Sequence, residues 1–90
     1  MNQAIKTKII IPTGVVFSSD TQSVNIATTA GEITILPNHA PLISKISGGH
    51  VKLRIDEGEK IFSLGDGVLE IRQNSEVVIL VSKAEAAADL

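Results

Sequence analysis

Ninety residues with a net charge near −2, two phenylalanines and neither Trp nor Tyr leave room for one small domain with a modest core. So few aromatics argue against a stacking platform for single-stranded nucleic acid, and the slightly acidic balance argues against a duplex-binding surface, which needs clustered Lys and Arg. Without cysteine there is no disulfide frame, thiolate nucleophile or zinc–thiolate site.

In chain order, residues 4–12 read as a strand in which Ile5, Thr7, Ile9 and Ile11 alternate with Lys6, Lys8 and Ile10. The apolar run 9–11 is far too short for a signal segment. Pro12-Thr13-Gly14 is a turn, 15–18 a short second strand, and Ser18-Ser19-Asp20-Thr21-Gln22 a polar run after it. Residues 23–29 alternate again, with Val24 and Ile26 on one face, and Ala30-Gly31 turns the chain. Residues 31–36 form the next strand, which Pro37 stops. Asn38 suits a turn conformation, and Pro41 holds Ala40 extended, so 37–41 is a stiff, exposed loop carrying His39. Residues 43–47 are ambiguous and end at Gly48-Gly49.

The cleanest alternation lies at 50–56, with Val51, Leu53 and Ile55 inward and Lys52 and Arg54 outward. Asp56-Glu57-Gly58-Glu59 is a hairpin loop whose glycine supplies positive φ. Strands follow at 60–64, 68–73 and 77–81, separated by Gly65-Asp66-Gly67 and Asn74-Ser75-Glu76. Short strands with turns between them predict an all-β fold, an antiparallel β-sandwich or flattened barrel. Residues 1–82 are assigned to it, and 83–90 to a short helical or frayed tail. In that tail Ser82 and Glu85 fit a capping box, and Ala86-Ala87-Ala88 favours helix, but the run is shorter than the ~12–15 residues an isolated helix needs.

Nothing in this chain selects a catalytic site. Gly65-Asp66-Gly67 lacks the Lys-Ser/Thr and strand–loop–helix setting of a phosphate loop. No serine sits in a Gly-x-Ser-x-Gly elbow, and a single His with scattered carboxylates is not a triad. His39 and His50 are not spaced as metal ligands. No stretch approaches the roughly 20 apolar residues of a spanning helix, so work at a membrane is expected to run through a partner. The expectation is a non-enzymatic chain with no cofactor and no metal. Two readings fit His39: it orders its own loop through turn carbonyls, or it meets a partner. Leu42, Ile43 and Ile46 are either core or an apolar docking patch.

The segment Gly31-Glu32-Ile33-Thr34-Ile35-Leu36-Pro37-Asn38-His39-Ala40-Pro41-Leu42 resembles the signature of the epsilon subunits of F-type ATP synthases, the delta subunits of mitochondria. That signature reads Gly-Glu-x-Gly-Ile-x-Pro-Gly-His-Ala-Pro-Leu, so Thr34 and Asn38 stand where glycines are usual. Val16-Phe17-Ser18 and Gly65-Asp66-Gly67-Val68-Leu69-Glu70-Ile71 match two further segments in order. The resemblance covers nearly the whole chain and the first domain of most relatives, which continue into a helical hairpin not found here. It implies a β-sandwich in the central stalk that links the gamma subunit to the c-ring, at the cytoplasmic face of a bacterial membrane. It implies no ATP chemistry in this chain. Glu32, Asn38 and His39 would together face the c-ring from one end of the sandwich. Leu42, Ile43 and Ile46 are the gamma-side candidates, and the isolated domain is expected to be monomeric. The alternative is a small β-sandwich interaction module from another setting, although a sugar-binding one would want more aromatics.

Overall fold

Alternation of apolar and polar residues builds most of the strands in the computed structural model, which describes residues 4–87. In β1 (Ile5–Ile11), Ile5, Thr7 and Ile9 point inward while Lys6 and Lys8 face water. The chain continues through β2 (Gly14–Thr21), β3 (Ser23–Thr28), β4 (Gly31–Ile35) and β5 (Leu42–Ser47). It goes on through β6 (His50–Ile55), β7 (Gly58–Leu64), β8 (Asp66–Arg72), β9 (Glu76–Val81) and β10 (Ala84–Ala86), and the described residues hold no helix. One sheet has the order β2-β1-β9-β8-β5, the other β10-β7-β6-β3-β4. Facing each other, they form the predicted β-sandwich.

The core lies between the sheets. Ile5, Ile9, Val24, Ile26, Leu53, Leu69 and Ile79 are fully buried there. Each such side chain contributes about 1.5–3 kcal/mol relative to exposure. Phe17 of β2 meets Phe62 of β7 edge to face, ring centroids 5.9 Å apart, and so joins the two layers.

Three features differ from the expectations. First, the sandwich is not wholly antiparallel. β1 and β9 run parallel, with Lys6 opposite Glu76 and Ile10 opposite Leu80. Parallel neighbours need a long connection, and here most of the chain is that connection. Second, β2 does not stop at Ser18: Ser18, Ser19 and Asp20 pair with Lys8, Thr7 and Lys6. A buried hydroxyl pair anchors the extension, Thr7 Oγ1 to Thr21 Oγ1 at 2.9 Å, with Thr7 also donating to the Ile5 carbonyl at 3.2 Å. Third, Ala84–Ala86 is a strand and not a helical turn. It pairs with β7, the Gly65 amide donates to the Lys83 carbonyl at 2.9 Å, and the Ala87 amide to the Ile61 carbonyl at 2.8 Å. The open edge of β7 satisfies these groups at once, whereas so short a helix would have to bear the unfavourable first turn. Positions 88–90 of the expected tail lie outside the described residues.

The pairing registers set which loops share an end. At one end lie the start of β1, the β4–β5 loop, the β6–β7 turn and the β8–β9 turn. The opposite end holds the β1–β2 and β3–β4 turns, Gly48-Gly49 and Gly65.

Candidate docking surfaces

The β4–β5 loop begins where Pro37 ends β4's pairing. Asn38 then takes φ 68°, in the left-handed region that Asn tolerates better than most residues. The His39 amide donates to the Leu36 carbonyl at 3.2 Å, closing the turn. His39 Nδ1 lies 2.7 Å from the Ala40 carbonyl oxygen. A carbonyl only accepts, so Nδ1 carries a proton in this contact. His39 therefore does order its own loop. The Asn38 amide donates to Ser75 Oγ in the β8–β9 turn at 2.8 Å.

Glu32 is exposed, and it is paired with Ala27 beside the β3–β4 turn. Thr28 holds that turn, its Oγ1 donating to the Gly31 carbonyl at 2.7 Å. This places Glu32 at the opposite end of β4 from Asn38 and His39, which corrects the expectation of a shared end. An extended strand advances ~3.3 Å per residue, so about 13 Å of chain separates Glu32 from Leu36 before the loop begins. Glu32 lies on an edge, since β4 is the last strand of its sheet, and the loop that carries Asn38 and His39 continues from that strand.

Among the gamma-side candidates, Ile46 is 1% exposed and belongs to the core. It lies on the inner face of β5, where period-two alternation puts it, and it is not available to a partner. Leu42, at the start of the strand, is 39% exposed, and Ile43, on the outer face, is 71% exposed.

Ile43 is part of a larger surface that sequence reasoning missed. The registers place Val15, Ile10, Leu80 and Val68 in one row across β2, β1, β9 and β8, on the outer face of the first sheet. The next row runs Ser18, Lys8, Val78, Glu70 and Ile43, mixing charged with aliphatic residues, and Val78 in it is buried. Of these, Val15 is 58% exposed, Leu80 43% and Val68 38%. The signal was present in the unbroken run Val77-Val78-Ile79-Leu80-Val81. A strand buried on one face alternates, and a continuous apolar run implies that its other face is apolar too.

The third row of that face is charged, in the order Asp20, Lys6, Glu76, Arg72. Arg72 lies 3.1 Å from Glu70 and 3.7 Å from Glu76. Its hydrogen bond to Glu70, followed by the charges of Glu70 and Glu76, holds it protonated beyond the usual arginine range. Alternating signs compensate one another along this row, whereas Val15, Val68, Leu80 and Ile43 are exposed in the other two. The outer face of the second sheet is polar by contrast. Asn25 there donates to Thr34 Oγ1 at 2.8 Å, and Lys52, Arg54 and Glu59 are exposed. No group of three His, Asp or Glu residues suited to a metal occurs among the described residues. The described residues include no helix long and apolar enough to cross a membrane.

Residues 4–87 match the family model of the ATP synthase delta/epsilon chain, beta-sandwich domain. The chain belongs to this family. Its relatives include the chloroplastic ATP synthase epsilon chain of Zygnema circumcarinatum, 35% identical over 96% of this chain and 64% of that protein. The ATP synthase epsilon chain of Anoxybacillus flavithermus is 31% identical over 98% of this chain and 65% of that protein. The chain thus spans less than two thirds of the length of these relatives. The fold also superposes on a chain of the Euglena gracilis mitochondrial ATP synthase with a TM-score of 0.87 and 15% identity, covering 96% of this chain and 55% of that one. For a chain in the central stalk and c-ring structure of the Tetrahymena thermophila enzyme the TM-score is 0.76 at 14% identity, covering 93% of this chain and 67% of that one. Membership in this family displaces the alternative of an unrelated sandwich module.

Proposed function

We propose that this chain is the epsilon-type sandwich of an F-type ATP synthase central stalk, held peripherally at the membrane by that complex. It joins the gamma subunit to the c-ring and takes no part in ATP chemistry. The observation that carries this reading, beside family membership, is the apolar outer face of the first sheet. Val15, Ile43, Val68 and Leu80 expose aliphatic side chains together, on a strand-to-strand cross-linked surface too rigid to fold them away. Such a face suits the gamma subunit: burial of these four aliphatic side chains supplies affinity, and the charges around them set orientation.

The ring contact is assigned to the β4 edge, with Glu32 near one end and Asn38 and His39 beyond the other. A rim carboxylate such as Glu32 contributes about 0.2–1 kcal/mol and acts mainly on orientation. The mechanical role follows from the two contacts. Torque enters at one surface and leaves at another, and a hydrogen-bonded sandwich passes it on with little internal yield.

Reconstitution tests the reading. ATP synthase depleted of this subunit is titrated with the wild-type chain and with I43D/L80D, and restored ATP-driven ion pumping is measured. Charging two exposed aliphatic positions should weaken reconstitution about tenfold or more, given the apolar area each contributes. Lys52→Ala, on the polar face, should reconstitute like wild type. Equal titrations for all three proteins would overturn the assignment.

A further inference from the structure

Among the described residues, positive φ outside glycine occurs at Asn38 (68°), Asn74 (66°) and Ser75 (56°). The three are not scattered. Asn74 and Ser75 form the β8–β9 turn, and Ser75 reaches across 37 positions of sequence to Asn38. Its Oγ accepts the Asn38 amide at 2.8 Å and lies 3.4 Å from Asn38 Oδ1, a longer contact in which the hydroxyl donates. The Ser75 carbonyl accepts the Lys6 amide at 2.9 Å, so the same residue ties the β8–β9 turn to the start of β1. One serine thus connects the loop carrying His39 to the central strands of the first sheet.

Serine is an expensive choice for that backbone. Glycine takes positive φ without a steric penalty and Asn with a small one, but Ser has no such tolerance. Its side chain gives the compensating gain. We infer that Ser75 is a positioning residue. It holds the Pro37–Asn38–His39 turn in the one conformation in which His39 docks. Asn38 requires this more than glycine would require anything there, because its left-handed conformation is the less favoured of its options and needs a partner to maintain it. The inference rests on the reading of His39 as a docking residue.

S75G tests it, since glycine accepts the turn's positive φ while removing the hydroxymethyl side chain that reaches Asn38. In the 90-residue chain, amide exchange is followed at Asn38 and at Ile79 as a core reference. Losing the bond from the Asn38 amide, together with the longer contact to Asn38 Oδ1, should speed exchange at Asn38 about threefold to tenfold and leave Ile79 unchanged. Reconstitution of subunit-depleted ATP synthase should then need severalfold more S75G than wild type, with an unaltered melting temperature. Unchanged exchange at Asn38 would overturn the clamp itself. Faster exchange with normal reconstitution, where H39A reconstitutes poorly, would overturn the positioning role while leaving the docking assignment standing. If H39A also reconstitutes normally, the docking assignment of His39 falls and the inference falls with it.

Discussion

Gly67 shows what a single residue decides in this fold. Read as part of a tight turn, it lies instead inside β8, opposite Val81. A Cβ built there would fall inside contact distance of the Leu80 carbonyl oxygen and 2.7 Å from Val81 Cα. Both obstacles are backbone, which cannot swing aside. Gly67→Ala is expected to destabilise the chain by about 1–3 kcal/mol or more, read as a lower urea midpoint at constant slope. At Asn38 the argument concerns conformation and not space. Asn38→Ala should cost about 1–2 kcal/mol because alanine tolerates the left-handed region poorly. Asn38→Gly should stay within about 1 kcal/mol of wild type, since relief of φ offsets the looser unfolded chain. Equal losses for the two would show that φ is not what matters there. Sequence pattern anticipated the tolerance at Asn38. It held no sign of Ser75, because a hydrogen bond between two distant turns leaves no periodicity to read.

At the scale of elements, legibility followed burial on one face. β1 and β6 were read with the correct inward residues, because Lys6, Lys8, Lys52 and Arg54 mark the wet side. β5 was ambiguous for the opposite reason. Ile43 and Lys45 share its outer face, so polarity does not separate the two sides. β10 reads as helical in sequence because Ser82 and Glu85 satisfy a local rule, and a local rule does not register the open edge of β7, paired 20 to 24 residues earlier. The element is marginal by construction. Ala87→Pro removes the donor to the Ile61 carbonyl, at a cost of about 0.5–1.5 kcal/mol. It should raise amide exchange over β10 while the exchange of β6 and β9 stays as in wild type. Global unfolding of the variant would show that β10 is integral to the sandwich and not an appended rung.

The molecule as a whole presents one greasy face and one polar face, and its electrostatics are mild. The ion pairs of Arg72 and that between Arg54 and Glu59 at 3.9 Å are exposed. Pairs of this kind contribute little and are screened by salt. Its two carboxylate neighbours shift Arg72 upward, so their stabilising effect is complete below the ordinary arginine range and fades only at strongly alkaline pH. The Arg72 pairs should therefore contribute equally from pH 6 to 8, and R72A should lower the melting temperature by the same small amount at both. A loss that differs by several degrees between the two would reveal a titrating group whose role is not apparent from the ion pairs. The two-ended layout of β4 was the largest misjudgement at this scale. A motif is contiguous in sequence, but a strand in its middle carries Glu32 and His39 apart.

The parallel pairing of β1 with β9 has a bearing on how the chain comes to be made. The middle rung of the first sheet joins Ile9 to Ile79. Until the late strand leaves the ribosome, the opening hairpin waits with a bare flank and an apolar inner side exposed, a state prone to sticking to its neighbours. Closure of this sandwich thus waits on its late strand: a nascent chain halted before Val77 lacks the partner of β1 in the first sheet.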